Sequence, residues 1–193
     1  VAAGGGSLLA FEDGRFKVGP QSAGANPGPA AYRRGGPLTV TDANVMLGKL
    51  QPDFFPAIFG PRQNQPLDAD AVRAKFAALS SAIGAGSTPE KTAEGFITVA
   101  AGNMANAIKT ISVQRGYDVT GYLLNCFGGA GGQHACLIAD ELGMEAVLIH
   151  PFSGLLSAYG IGLASVFASR QQAVVKPLED ALLPEIHALS ARL

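Results

Sequence analysis

The segment Leu123-Leu124-Asn125-Cys126-Phe127-Gly128-Gly129-Ala130-Gly131-Gly132-Gln133-His134-Ala135 holds the densest chemical information in the chain. It reads as a buried strand that runs into four glycines and one alanine and then opens a helix. Such a turn presents backbone N–H groups, and the helix dipole adds about half a positive charge at that end. With no Cβ in the way, a phosphate or a nucleotide can come close to the backbone. Spacing excludes two common versions of the motif. A Walker A loop needs Gly-Lys-Ser/Thr, whereas Gln133 and His134 follow Gly132. A dinucleotide fingerprint needs a glycine at its sixth place, which counted from Gly129 is His134. His150 stands where that motif's acidic residue, roughly 20 positions on, would fall. The plain alternative is a strand-to-helix turn with no ligand, although each glycine there costs backbone entropy on folding.

The elements that must hold this turn follow from periodicity. Ser87-Thr88-Pro89-Glu90 has the spacing of a capping box, and a helix then runs to about Arg115. Its Ile97, Ala101, Met104, Ile108 and Ile111 fall on one face, and Gly116 closes it. Strands are expected over 122–127 and 146–150, with a helix from Gly131 to Leu142 between them, ended by Gly143. A glycine-bearing helix over 151–168, a strand over 171–176 and a short amphipathic helix over 178–192 complete the series. This helix–strand alternation predicts an α/β class with a parallel or mixed sheet covered on both faces, strand 122–127 central and buried.

Upstream, Leu8–Phe11 and Arg15–Val18 flank Asp13-Gly14, the signature of a β-hairpin. Residues 19–37 are too rich in Gly and Pro for regular structure, and a loop of that length is functional or disordered. Thr39-Val40-Thr41-Asp42-Ala43-Asn44 reads as a helix start with Thr41 as N-cap, stopped by Gly48. Residues 51–66 form another loop, with Phe54, Phe55 and Phe59 as packing or interface residues. Asp68 caps a helix over 69–83, with Val72, Phe76 and Leu79 on its apolar stripe, and Gly84 and Gly86 break it. Two divisions are expected: 1–86, the hairpin, loop and helical insertion, and 87–193, the α/β part with the glycine turn.

Composition narrows the function classes. The 193 residues are 48 % apolar and 15 % charged, enough for one or two domains with a core. A net charge of −1 offers no footprint for nucleic acid or for an anionic membrane surface. No apolar run approaches the 18 or so residues of a membrane span, and no signal peptide is visible. A cytoplasmic location is expected, with Cys126 and Cys136 as reduced thiols outside any metal-ligand pattern. The chain starts at Val1 without an initiator Met, which reads as a cut inside a larger protein.

Five stretches, in order, resemble the hydantoinase A/5-oxoprolinase family, and the 5-oxoprolinase branch most of all. They are Ala2-Ala3-Gly4-Gly5-Gly6-Ser7, the run from Val18 to Pro29, Thr39-Val40-Thr41-Asp42-Ala43-Asn44, Phe127 to Ala135, and His150 to Gly160. Together they cover residues 1 to about 170. Asn26 stands where the family often has Asp, and Ala31 where Cys is frequent before Tyr32. Asn preserves the turn chemistry at 26. The resemblance implies a fragment of an actin-like ATPase (ribonuclease H-like) fold: the C-terminal part of the A region, without its first lobe and part of its second. In that fold Gly128 and Gly129 hold the adenosine part of ATP, with Gly131 and Gly132 close behind. The phosphate hairpins and most Mg²⁺-binding carboxylates lie upstream, so the metal ligands are not assigned.

The implied reaction is ATP-dependent opening of a lactam or cyclic imide. An unstrained amide is a poor electrophile, and phosphorylating its carbonyl oxygen creates a leaving group for attack by water. Positioning and charge neutralisation supply most of such catalysis. His134, in the first helical turn, is expected to be neutral and to donate to phosphate or to the substrate carbonyl; it could equally bond a nearby loop. Asp42 and Asn44 could face the cleft from their helix start, through water to Mg²⁺, or Asp42 could serve only the helix N-terminus. Ser22 and Asn26 are candidate substrate contacts or plain turn formers. Arg33 and Arg34 could reach phosphate or be solvated. The implied partners are a small cyclic amide, a hydantoinase B region or subunit, and the first lobe of the same protein. Three other functions stay open: an acetone or acetophenone carboxylase ATPase subunit, a kinase-like or chaperone-like ATPase, and a non-catalytic assembly module for a hydrolase.

Overall fold

Strand β1 (Ser7–Glu12) and strand β2 (Arg15–Ser22) form the expected antiparallel hairpin. Asp13 and Gly14 both adopt positive φ, +53° and +73°, the geometry a tight two-residue turn demands. The computed structural model describes residues 4–192, so Ala2 and Ala3 of the first matching stretch lie outside the described residues. β2 runs four residues further than its sequence pattern indicates, to Ser22. The rest of that stretch is loop with one 3-10 turn at Ala30–Tyr32.

Helix α1 (Val40–Met46) begins two residues earlier than expected: Thr39, not Thr41, is its N-cap. Asp42 decides this. At the third helical position its carboxylate reaches back to the Thr39 N–H at 2.8 Å, the reciprocal half of a capping box. Helix α2 (Ala69–Ile83) is capped by Asp68, which accepts from the Ala71 N–H at 2.9 Å. Helix α3 (Pro89–Ile111) is capped by Thr88 rather than Ser87, whose hydroxyl turns to Thr92 at 2.8 Å. Gly116, at φ +85°, ends the 3-10 turn that follows α3.

Two cores share α3. Its N-terminal half packs Ala93, Phe96, Ile97 and Ala100 with Val40, Ala43, Val72 and Phe76 of α1 and α2. Phe16 of the hairpin stacks edge-on against Phe96, centroids 4.8 Å apart. Its C-terminal half packs Ala101 and Ala105 against Ile138 and Leu142 of helix α4 (Ala135–Leu142), with Ile108 and Leu124 at the margin. The stripe therefore lands mainly on helices, and its last member, Ile111, is 65 % exposed.

The expected central sheet is reduced. Strand β3 (Leu124–Cys126) pairs in parallel with β4 (Val147–Ile149) alone. Only Cys126 of β3 is buried, and Leu148 and Ile149 are 50 % and 56 % exposed. Among the described residues the two sheets stay separate two-stranded pairs, not one mixed sheet. Residues 171–176 are not a strand: among the described residues they form no ladder. The helix expected over 151–168 contracts to a 3-10 turn and α5 (Leu156–Leu163), and the last one to α6 (Leu183–Arg192).

Backbone proximity groups Val1–Leu156 into one unit and Ser157–Leu193 into another. The first unit spans the 86/87 division drawn from sequence, because α3 serves both cores. Within the second, Leu182 and Leu189 are buried and Lys176 pairs with Glu185 at 2.7 Å.

Candidate functional site

The glycine turn leaves the C-terminal end of β3 and enters α4 through a 3-10 turn, Gly131–Gln133. Gly128 sits at φ +91°, a conformation that strains any residue with a side chain. Its N–H is anchored on the Ser153 carbonyl at 2.8 Å. A Cβ at Gly128, Gly129 or Gly132 would meet open space, so the outer face of the turn is approachable. Gly131 differs: a Cβ there would press on Cys126 Sγ at 3.0 Å. Beneath the turn lies a cleft of about 160 Å³ lined by Ile108, Leu124, Asn125, Cys126, Phe127, Gly131, Ala135 and Ile138.

His134 ends the 3-10 turn and precedes α4. It is 4 % exposed and meets Asn44 of α1, which is fully buried, across 90 residues of sequence. Asn44 Nδ2 lies 3.2 Å from His134 Nε2. An amide nitrogen only donates, so Nε2 accepts and the neutral ring carries its proton on Nδ1. Burial first, and the nearby Lys49 ammonium second, hold the imidazole below its ordinary proton affinity, consistent with that neutral form. His134 Nδ1 and Asn44 Oδ1 are buried without a partner among the described residues. Unpaired groups of this kind cost about 1–3 kcal/mol each, a cost that a ligand or a bound water removes.

Of the two readings of Asp42, the cleft and the helix N-terminus, the structure matches the second: the side chain is fully buried and saturated. It accepts from the N–H groups of Ala30 (3.0 Å), Ala31 (2.8 Å) and Thr39 (2.8 Å) and from the Thr39 hydroxyl (2.9 Å). Burial pushes its carboxyl above the ordinary carboxylate range, and the four donated bonds oppose that rise. Its geometry staples the loop before Leu38 onto α1. The same loop closes on itself where Gly36 packs on the Gly28 carbonyl so tightly that a Cβ would lie 1.9 Å from it. Ser22 and Asn26 are exposed. Ser22 Oγ accepts from the Gly24 N–H at 3.1 Å, and among the described residues no hydrogen bond ties either residue to the glycine turn. Arg33 is a structural tie, paired with Asp68 at 2.8 Å and donating to the Pro66 carbonyl, while Arg34 donates to the Ala25 carbonyl. Among the described residues no three His, Cys, Asp or Glu side chains gather as a metal site.

Lys49 escaped the sequence reading. Gly48, at φ +69°, turns the chain out of α1, and the Lys49 ammonium then reaches the Gln133 carbonyl at 3.4 Å. A lone lysine after a helix-ending glycine carries no signal in one sequence; only the fold brings it to the turn.

The sequence signature described as hydantoinase/oxoprolinase matches residues 1–170. The chain belongs to that family. It is 49 % identical over 180 residues to a 5-oxoprolinase of Dictyostelium discoideum, covering 89 % of this chain and 14 % of that protein. To the 5-oxoprolinase of Saccharomyces cerevisiae it is 51 % identical over 176 residues, again 89 % and 14 %. The crystal structure of the ATP-dependent caprolactamase from Pseudomonas jessenii superposes with a TM-score of 0.69 at 38 % identity, covering 81 % of this chain and 22 % of that one. The alpha subunit of a P. jessenii caprolactamase is 38 % identical over 184 residues. The chain thus spans about one seventh of the length of the 5-oxoprolinases it matches. No helix among the described residues is long and apolar enough to cross a membrane.

Proposed function

We propose that this chain works within a longer, ATP-dependent hydrolase of lactams or cyclic imides, and that it supplies part of the nucleotide site. The observation that carries the reading is the open, side-chain-free face of the turn at Gly128, Gly129 and Gly132, with the neutral His134–Asn44 pair directly behind it. The likeness to a caprolactamase titled ATP-dependent supports it, as does the 5-oxoprolinase name of the other relatives. An actin-like ATPase architecture for the whole enzyme, a hydantoinase B partner and a cytoplasmic location belong to the same proposal.

ATP, when bound, supplies the phosphoryl group that turns the ring carbonyl oxygen into a leaving group. The residues here fit such a ligand. The apolar cleft beside Cys126 and Ile138 suits a flat base, and the glycine backbone gives close approach. His134 keeps its Nδ1 proton as a neutral donor for oxygen near the turn, the role of a catalytic residue in this proposal. Asn44 positions it by fixing the tautomer. Asp42 positions both by holding α1 against the loop at Ala30 and Ala31, and the exposed Ser22, at the end of β2, and Asn26 are offered to the cyclic amide. Mg²⁺ finds no ligand set in these residues: Asp42, the nearest buried carboxylate, has its oxygens occupied, so no step here runs through the metal.

The test uses the complete protein. ADP release should depend on an added lactam, tried with 5-oxoproline, a hydantoin and caprolactam. ATP turnover that is indifferent to all three, with a different acceptor phosphorylated, would replace this reading by a kinase-like one.

A further inference from the structure

Four consecutive backbone N–H groups, those of Gly129, Ala130, Gly131 and Gly132, find no acceptor among the described residues. Three of the four residues are exposed. The next donors along the chain are spent: Gln133 N–H goes to the Ala130 carbonyl and His134 N–H to that of Gly131. A run of free donors at the mouth of a helix makes a concavity for an anion.

A cation touches the same turn. The Lys49 ammonium touches the turn through the Gln133 carbonyl, an interaction at 3.4 Å that uses one of its three donors. No carboxylate pairs with it among the described residues, although five other basic side chains do pair. Its charge is also felt by the buried His134, whose Nδ1 lacks any partner and which ends the same turn. An ammonium with no carboxylate partner thus reaches a stretch of six residues, Gly129 to His134, that holds four unpaired N–H groups and an unsatisfied buried imidazole.

We propose that Lys49 and the N–H groups of Gly129 to Gly132 form a phosphate subsite, so that the turn grips a phosphate group of the nucleotide and not only its nucleoside part. This rests on the nucleotide reading of the turn. The chemistry is that of a charge-assisted hydrogen bond from the ammonium to a phosphate oxygen, with the backbone donors completing the shell. Lys49 is a binding residue here; no bond to it forms or breaks.

The experiment compares Lys49→Met, Lys49→Arg and Gly129→Val in the complete protein. It measures binding of ATP, pyrophosphate and adenosine, with thermal melts as a control for folding. Lys49 is exposed, so its variants should melt like the parent. Lys49→Met should weaken ATP and pyrophosphate about 10-fold or more while adenosine binding holds, and Lys49→Arg should retain most of the affinity. If Lys49→Met leaves ATP and pyrophosphate unchanged while Gly129→Val loses ATP, the phosphate subsite is overturned and the nucleotide reading stands. If neither substitution changes ATP binding, or the parent binds no nucleotide, both fall.

Discussion

His134 and Asn44 hold each other in one protonation state. With Nε2 accepting from the Asn44 amide, His134 can only be a donor through Nδ1. His134→Ala in the complete protein should lower kcat by about 100-fold with little change in KM for ATP, as expected for a donor that acts at the reacting oxygen. Steady-state kinetics beside a thermal melt would check this. An unchanged kcat would leave the histidine a packing residue. The ring also links stability to pH. Burial and Lys49 depress its proton affinity in the fold below the ordinary value near 6.5. Its contribution is then fully present above about pH 6.5 and is lost as pH falls through the window beneath it, because the unfolded chain takes up the proton first. The difference in urea midpoint between the parent and His134→Asn should shrink from pH 7.5 to pH 5.5. A constant difference would contradict the neutral, buried ring.

At the scale of elements, α1 is the connector. Asp42 points back to the loop at Ala30 and Ala31, and Asn44, two residues on, meets the glycine turn. Asp42→Ala would leave three backbone N–H groups and one hydroxyl without their acceptor inside the fold. The expected loss is on the order of 3 kcal/mol, read as a lowered denaturant midpoint, with protease cleavage of the loop over 23–37 appearing early. Much of this region was legible in sequence and part was not. The Asp13-Gly14 turn is local chemistry, and it held. The Thr39 cap was missed because Thr39 and Thr41 both suit the place, and only the reach of Asp42 chooses between them. The glycine turn itself was plain in the sequence. Its partners were not: Asn44 lies 90 residues from His134 and Lys49 84 from Gln133, distances over which no spacing rule operates. Strand β3 shrank from 122–127 to three residues because pairing, not propensity, sets strand length, and only β4 lies beside it.

For the whole molecule, the parallel pair β3–β4 is the telling feature. Parallel sheets are usually covered on both faces, yet Leu123, Leu148, Ile149 and Phe127 all remain exposed. The 193 residues alone should therefore self-associate at micromolar concentration, seen as a concentration-dependent sedimentation coefficient, and should show no lactam-dependent ATP turnover. A monodisperse, active chain would contradict its place within a longer enzyme. The central claim is that the turn after β3 faces a nucleotide, and Gly129→Val in the complete protein tests it most directly. Gly128 is a poor probe because its φ of +91° makes any substitution strained. Gly129 is free of that constraint, and a Cβ there meets no atom within 4 Å. The variant should keep the parent's melting temperature while its KM for ATP rises about 10-fold or more, since the new side chain fills the space the nucleotide needs. A folded Gly129→Val protein with an unaltered KM for ATP would remove the nucleotide from this turn.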